Sequence, residues 1–164
     1  MEIKYPEANS GHKNSYEVGN EFQDFVCITL ASDNIILQNI NSKKFQFETG
    51  ENLQGFEIKF DGTHTKTKRL SIEIAEKRIG TNKDFVKSGI YRGDNTWLYI
   101  QGNYDLFFIF SVKLLRGLHK TGRYEDAEWP RENPTVKKFY LPHCDAIKYC
   151  AKHYGAINVK CQMD

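Results

Sequence analysis

Five charged side chains recur at strand spacing within one segment, GFEIKFDGTHTKTKRLSIEIAEK. Glu57, Lys59 and Asp61 alternate with apolar residues in its first half, and Glu73 and Lys77 lie on one face of its second half. Successive side chains of a β-strand point to opposite faces, so each half predicts a strand with one apolar and one charged face. The charged faces are the part of this segment that could carry chemistry.

The acids among these residues predict a cation site. If the segment is a hairpin that turns near Thr65 or Lys66, Glu57 lies close to Glu73 on the neighbouring strand. Like charges on adjoining strands repel, whereas three carboxylates within roughly 10 Å of one another form a site for a hard divalent cation such as Mg²⁺. A solvated charged face of an antiparallel sheet is the alternative interpretation of the same alternation.

A helix and further strands must position this predicted hairpin. Apolar residues at helical spacing predict a helix over residues 16–30, with Ser15 as its N-cap and Glu21 on its flank. Strands are predicted over 35–40, 43–48, 96–101, 106–112 and 135–141, short helices over 113–122 and 142–155, and a polar loop over 123–134. One helix, a run of strands and a mixed remainder indicate an α+β fold with a central mixed sheet flanked by helices.

The length of 164 residues predicts a single domain over residues 1–164, with residues 1–13 as a flexible arm. A formal net charge of +2 does not by itself indicate a polyanionic partner. The N-terminus has no apolar core of the kind that a signal peptide needs, and the longest apolar run, LFFIF, is far too short to cross a bilayer. The sequence therefore predicts a soluble, cytoplasmic protein without a membrane partner, whose four cysteines are free, reduced thiols.

The order of the charged motifs resembles that of the PD-(D/E)XK nuclease superfamily, above all its phage and bacterial members. In those proteins an E-x-K-x-D strand is followed by an I-E strand and then by SGI. This chain has EIKFD, SIEI and SGIYR in the same order, after a helix that carries an acid. The resemblance covers roughly residues 16–112.

The resemblance implies a restriction-endonuclease-like core and a Mg²⁺-dependent (or Mn²⁺-dependent) deoxyribonuclease. It makes Asp61 and Glu73 the metal ligands, with Glu57 as a third candidate. A lysine, either Lys77 or Lys59, would orient the attacking water or help to deprotonate it. Glu21 on the preceding helix would be an outer carboxylate of the same catalytic site.

Basic residues next to these acids are candidates for contacts with DNA. Lys66, Lys68 and Arg69 lie in the loop between the two charged motifs, and Lys87 and Arg92 follow them along the chain. Such residues would bind phosphates without reading the base sequence. Ser88, with the following glycine, would let nucleic acid approach the backbone, although a plain turn explains the pair equally well. A homodimer would suit this activity, because two sites cut both strands of a duplex.

Two other functions remain open at this point. Ala75 stands where a lysine would complete an acid-x-Lys unit with Glu73, and no Pro-Asp dipeptide precedes the acids. A catalytically inactive, nuclease-like protein that binds nucleic acid would show these departures. A non-enzymatic protein that binds another partner, and whose charged face is simply hydrated, is the third possibility.

Overall fold

A computed structural model of the chain describes residues 15–38, 49–50, 52–77, 83–157 and 161. The predicted flexible arm over residues 1–13 and the predicted strand over 43–48 lie outside these residues. The helices are α1 (Ser15–Ser32), α2 (His64–Thr67), α3 (Val112–Lys120) and α4 (His143–Tyr149), with a 3-10 turn at Gly89–Tyr91. The strands are β1 (Phe56–Phe60), β2 (Arg69–Glu76), β3 (Val86–Lys87), β4 (Leu98–Gly102), β5 (Leu106–Ser111), β6 (Asp126–Trp129), β7 (Val136–Pro142) and β8 (Lys152–Gly155).

The first sheet is mixed and has the strand order β1-β4-β5-β8. β1 runs parallel to β4, and the two other neighbouring pairs are antiparallel. One face of this sheet packs on α1, whose Phe22, Val26 and Leu30 recur every fourth residue and are fully buried. Ile58 and Ile100 belong to the same core, so Glu57 and Lys59 point to the opposite face of the sheet.

The second sheet is antiparallel and has the strand order β3-β2-β7-β6. Its buried face contributes Leu70 and Ile72 of β2 and Phe139 of β7 to a second core. Tyr99 and Phe108, from the face of the first sheet that α1 does not cover, belong to this core as well. The two sheets are therefore joined by one core, and the α+β prediction with a mixed sheet is confirmed.

The predicted hairpin over residues 55–77 is wrong. β1 and β2 belong to different sheets, because β1 pairs in parallel with β4 about forty residues later, and β2 pairs with β3 and β7. The short helix α2 lies between them and ends at Thr67, and the following residue, Lys68, has a left-handed backbone conformation (φ 56°). A strand pairing formed at this distance leaves no trace in the local alternation of the sequence.

Three other predicted elements differ in detail. The helix predicted over 142–155 ends at Tyr149, and the rest forms the edge strand β8. The loop predicted over 123–134 contains the strand β6, whose charged and exposed residues are typical of an edge strand. Residues 35–38 of the strand predicted over 35–40 have no regular structure. The helices predicted over 16–30 and 113–122 and the strands predicted over 96–101, 106–112 and 135–141 are confirmed within a few residues.

The cysteines correct a further expectation. Cys144 and Cys161 form a disulfide with a Cα–Cα distance of 5.4 Å, and Cys27 and Cys150 are free. The prediction of four reduced thiols is therefore wrong for two of them. Within the described part of the chain, no helix has the length and apolar character needed to cross a bilayer.

Candidate functional site

A cleft of about 270 Å³ opens where the two sheets meet. The face of the first sheet opposite α1 forms one wall, and the charged face of β2, with β6 and β7, forms the other. The residues that line it are Lys59, Phe60, Asp61, Gly62, Ser71, Glu73, Tyr99, Gln101, Trp129, Val136 and Lys138. The cleft thus brings together Asp61, Glu73 and Lys59, which the sequence analysis placed in one site, although through a different strand arrangement.

Glu57 and Lys59 form an ion pair at the cleft. They lie two residues apart on one face of β1, and Lys59 Nζ is 3.0 Å from Glu57 Oε1. The Glu57 side chain is 0% exposed, and its Oε2 accepts no hydrogen bond from any residue that the structure describes. Tyr99, a cleft residue, lies opposite Glu57 in the strand register. Glu57 is therefore a buried carboxylate behind the cleft wall, and one of its oxygens has no hydrogen-bond donor among the described residues.

Asp61 is committed to hydrogen bonds within the protein. Its Oδ1 accepts from the backbone N–H of Thr63 at 3.2 Å and from the Thr63 hydroxyl at 3.1 Å. Its Oδ2 accepts from the backbone N–H of Ser71 and from Gln101 Nε2, both at 3.1 Å. Gln101 Nε2 also donates to the Ser71 carbonyl at 2.9 Å. Asp61 and Gln101 therefore join the end of the first sheet to β2, next to the cleft.

Glu73 forms part of the cleft wall on β2, and the 3-10 turn fixes it there. Ser88 is buried, and its hydroxyl donates to Glu73 Oε1. Gly89 has φ +50°, and a Cβ at this position would meet the carbonyl oxygen of Glu73. The glycine is required because the turn packs directly on the β2 backbone. The Ser88–Gly89 pair thus supports Glu73 rather than leaving room for nucleic acid.

Lys138 is a cleft residue that the sequence analysis missed. It lies opposite Glu73 in the pairing of β2 with β7. Burial lowers the pKa of its ammonium group, and the negative charge of Asp61 acts in the opposite direction. The alternation in TVKKFYL does place Lys138 and Tyr140 on one face of a strand. Only the pairing of β7 with β2 brings that face to the cleft, and this pairing spans about sixty residues of sequence.

The other predicted site residues lie away from the cleft walls that the described residues form. Lys77 follows β2 with its ammonium group 4.9 Å from the centre of the Phe85 ring, so of the two predicted lysines only Lys59 lines the cleft. Glu21 is exposed on α1, which covers the opposite face of the first sheet. The predicted DNA-contact residues are placed as follows: Lys66, Lys68 and Lys87 are exposed, Arg92 is 3.8 Å from Asp94, and Arg69 stacks on Tyr140.

Two buried histidines lie beside this junction. His64 of α2 and His143 of α4 have Nδ1 and Nε2 at 3.0 Å, so one ring donates a hydrogen bond to the other. Burial lowers the pKa of His64 and lowers the pKa of His143 to about 4, and the charges of His64 and Lys68 add to the effect on His143. Asp61 opposes the shift of both rings with a smaller effect. The pair is therefore neutral at pH 7.

Acid is expected to destabilise the fold through His143. Its pKa is about 4 in the folded chain, against roughly 6.5 when unfolded, so the unfolded state binds more protons between these values. The free energy of unfolding should be constant above about pH 6.5 and fall by on the order of 3 kcal/mol as the pH drops to 4. Urea unfolding at a series of pH values measures this. In His143→Gln the loss should shrink to less than half, and an unchanged pH profile would contradict the assignment.

Metal ligands are sparse in this region. No group of three or more His, Cys, Asp or Glu side chains is arranged to hold a metal ion within the described ranges. A cation at the cleft would therefore depend on one or two carboxylates together with water and oxygen atoms from a bound ligand, which is common for Mg²⁺. The unsatisfied oxygen of Glu57 fits such a role, whereas the four hydrogen bonds of Asp61 do not.

Comparisons of the chain with protein-family models, with curated proteins and with solved structures find no match.

Proposed function

We propose that this protein hydrolyses phosphodiester bonds of nucleic acid in the cleft, with the help of a divalent cation, Mg²⁺ or Mn²⁺. The buried Glu57, paired with Lys59 and with one oxygen unsatisfied, is the single observation that carries the proposal. An isolated buried carboxylate is costly, and a bound cation is one of the few partners that would offset the cost. DNA as the substrate, and a cytoplasmic site of action, are taken from the sequence analysis.

The residues of the cleft suit the separate needs of this reaction. Glu57 and Glu73 would hold the cation, which supplies Lewis acidity and lowers the pKa of a bound water. Lys59, beside Glu57, would orient that water or neutralise charge on the phosphate. Lys138, on the opposite wall, would contact a phosphate oxygen. Asp61 has a positioning role, because it fixes Ser71 and Gln101 and with them the width of the cleft.

Binding of nucleic acid without cleavage is the second candidate. It is favoured by the saturation of Asp61 and by the lack of a three-ligand group among the described residues. The cleft would then bind nucleic acid through its basic and aromatic residues alone.

As to assembly, cutting both strands of a duplex would call for two clefts, which a homodimer supplies, whereas a single-strand substrate needs one.

Removal of the metal tests the first candidate. Incubation with plasmid and linear DNA should give cleavage in Mg²⁺ or Mn²⁺ and none in EDTA, because the carboxylates cannot activate water alone. Glu73→Ala should reduce the rate, and Glu132→Ala, an exposed acid in the loop after β6, should not. Calorimetric titration with Mn²⁺ provides a readout besides cleavage. Intact DNA in both metals together with no Mn²⁺ binding would contradict the nuclease proposal and leave the binding protein.

A further inference from the structure

Aromatic and cationic side chains alternate in a row that starts at the cleft and crosses the second sheet. The members of this aromatic–cation row are Trp129 of β6, Lys138 and Tyr140 of β7, and Arg69 of β2. Lys138 Nζ lies 5.1 Å from the Trp129 ring centre and 5.5 Å from that of Tyr140. The Arg69 guanidinium lies 3.7 Å above the Tyr140 ring. The row is continuous with the cleft because Trp129 and Lys138 line it.

The strand register explains why these four side chains share one face. Lys138 and Tyr140 are two residues apart on β7, Trp129 pairs with Val136, and Ser71 pairs with Tyr140, which places Arg69 diagonally across from the tyrosine. The opposite face of β2 and β7 supplies the buried core. The row therefore lies on the face of the second sheet that points away from its buried core, and the strand pairing sets the spacing of its rings.

The two ends of the row are exposed to solvent. Trp129 is 54% exposed, and the side chain of Arg69 is 42% exposed. Lys138 is partly buried between the rings, and Arg69 also forms a 3.7 Å ion pair with Glu125 at the outer end. A flat exposed ring beside a lysine matches a ligand that offers both π-faces and negative charge. Nucleic acid with unstacked bases has both.

We propose that the aromatic–cation row binds single-stranded nucleic acid by base stacking and leads the strand into the cleft. This inference rests on the proposed function in that the cleft receives nucleic acid, and it adds the form of the substrate. A duplex hides the faces of its bases in its own stack, so it would gain contacts with the cations and none with the rings. The cleft volume of about 270 Å³ lies just below the roughly 300 Å³ at which pockets for small molecules begin, so the cleft could take part of one nucleotide and could not enclose a duplex.

Binding in EDTA tests the row without any contribution from cleavage. The probes are a labelled oligothymidylate and a labelled hairpin duplex of the same length, followed by fluorescence anisotropy. The wild-type protein should bind the single strand more tightly than the duplex, and Trp129→Ala should weaken single-strand binding about 10-fold, as expected for the loss of one stacked base. Trp129→Phe should restore most of the affinity. Lys138→Ala should lower the salt dependence of single-strand binding by about 0.7 in log–log slope.

Trp97 provides a matched control. Its exposed fraction of 58% is similar to the 54% of Trp129, but it packs on Phe56 and does not line the cleft. Trp97→Ala should leave the affinity for the single strand unchanged. Equal losses in the two tryptophan variants, or duplex binding as tight as single-strand binding, would overturn the inference. Failure of the proposed nuclease would leave these results in EDTA unaffected, so the two proposals are tested separately.

Discussion

Glu57→Gln is expected to lower the rate of DNA cleavage by about 100-fold or more while the protein remains folded. A carboxylate that helps to hold a catalytic cation is worth several kcal/mol in the transition state, and each 1.36 kcal/mol is about tenfold in rate. Glutamine keeps the shape and removes the negative charge. Cleavage rates in Mg²⁺ and calorimetric titration with Mn²⁺ should both show the loss.

The same substitution should leave the stability unchanged or raise it. Glu57 is fully buried with Lys59 as its ion-pair partner, and burial of a charge opposes folding unless its pairing is complete. The remaining Lys59 side chain is 29% exposed, so its ammonium can be hydrated once the pair is lost. A loss of activity combined with an equal or higher melting temperature is the expected signature of a residue kept for function.

Glu128→Gln is the matched control for this experiment. Glu128 also forms a close ion pair with a lysine, Lys137, at 2.9 Å, but on the exposed surface of β6 and β7. Its replacement should change neither cleavage nor Mn²⁺ binding. Full cleavage activity in Glu57→Gln would sink the nuclease proposal, because neither of the described carboxylates that line the cleft, Asp61 and Glu73, has a buried oxygen without a hydrogen-bond partner.

Asp61→Ala is expected to destabilise the fold by about 3 kcal/mol or more, in the absence of any metal. The substitution removes four hydrogen bonds, leaves the Ser71 N–H without its acceptor and leaves Gln101 Nε2 with only its hydrogen bond to the Ser71 carbonyl. Hydrogen bonds to a charged group contribute roughly 1.5–3 kcal/mol each, and a buried donor left unsatisfied costs about 1–3 kcal/mol. Urea unfolding in EDTA measures the effect, with Asp105→Ala, an exposed aspartate between β4 and β5, as the control.

This second experiment also separates the two roles assigned to Asp61. The sequence analysis made Asp61 a metal ligand, and the geometry of its hydrogen bonds favours a structural role. A ligand carboxylate would be neutral or unfavourable for stability without its cation, because its charge is then unpaired. A variant that is as stable as wild type in EDTA, yet inactive, would support the ligand role and contradict the positioning role.

Local patterns in the sequence are sufficient for the elements that depend on local spacing. The helical recurrence of Phe22, Val26 and Leu30 predicts α1, and the apolar runs on both sides of GNYD predict β4 and β5. The same patterns do not predict the edge strands β6 and β8. Edge strands are short and exposed, so their residues show neither the alternation nor the apolar content of a central strand.

The candidate site is predictable in composition but not in arrangement. Lys59, Asp61 and Glu73 do reach one cleft, as the motif order suggests. They do so because β1 pairs with β4 and β2 pairs with β7, and both pairings connect segments far apart in sequence. Lys138 was missed for the same reason. Its position in TVKKFYL carries no local sign that the strand lies next to Glu73.

The contact between Asp61 and Ser71 makes the Ser71 backbone amide a reporter of the junction between the two sheets. The Ser71 N–H is held by a side chain of the other sheet rather than by a neighbouring strand. Its exchange with deuterium therefore requires the contact between Asp61 and β2 to open, whereas the amides of β4 and β5 exchange when the strand pairing of the first sheet opens. The exchange rate at Ser71 thus reports how often the contact between the first sheet and β2 opens.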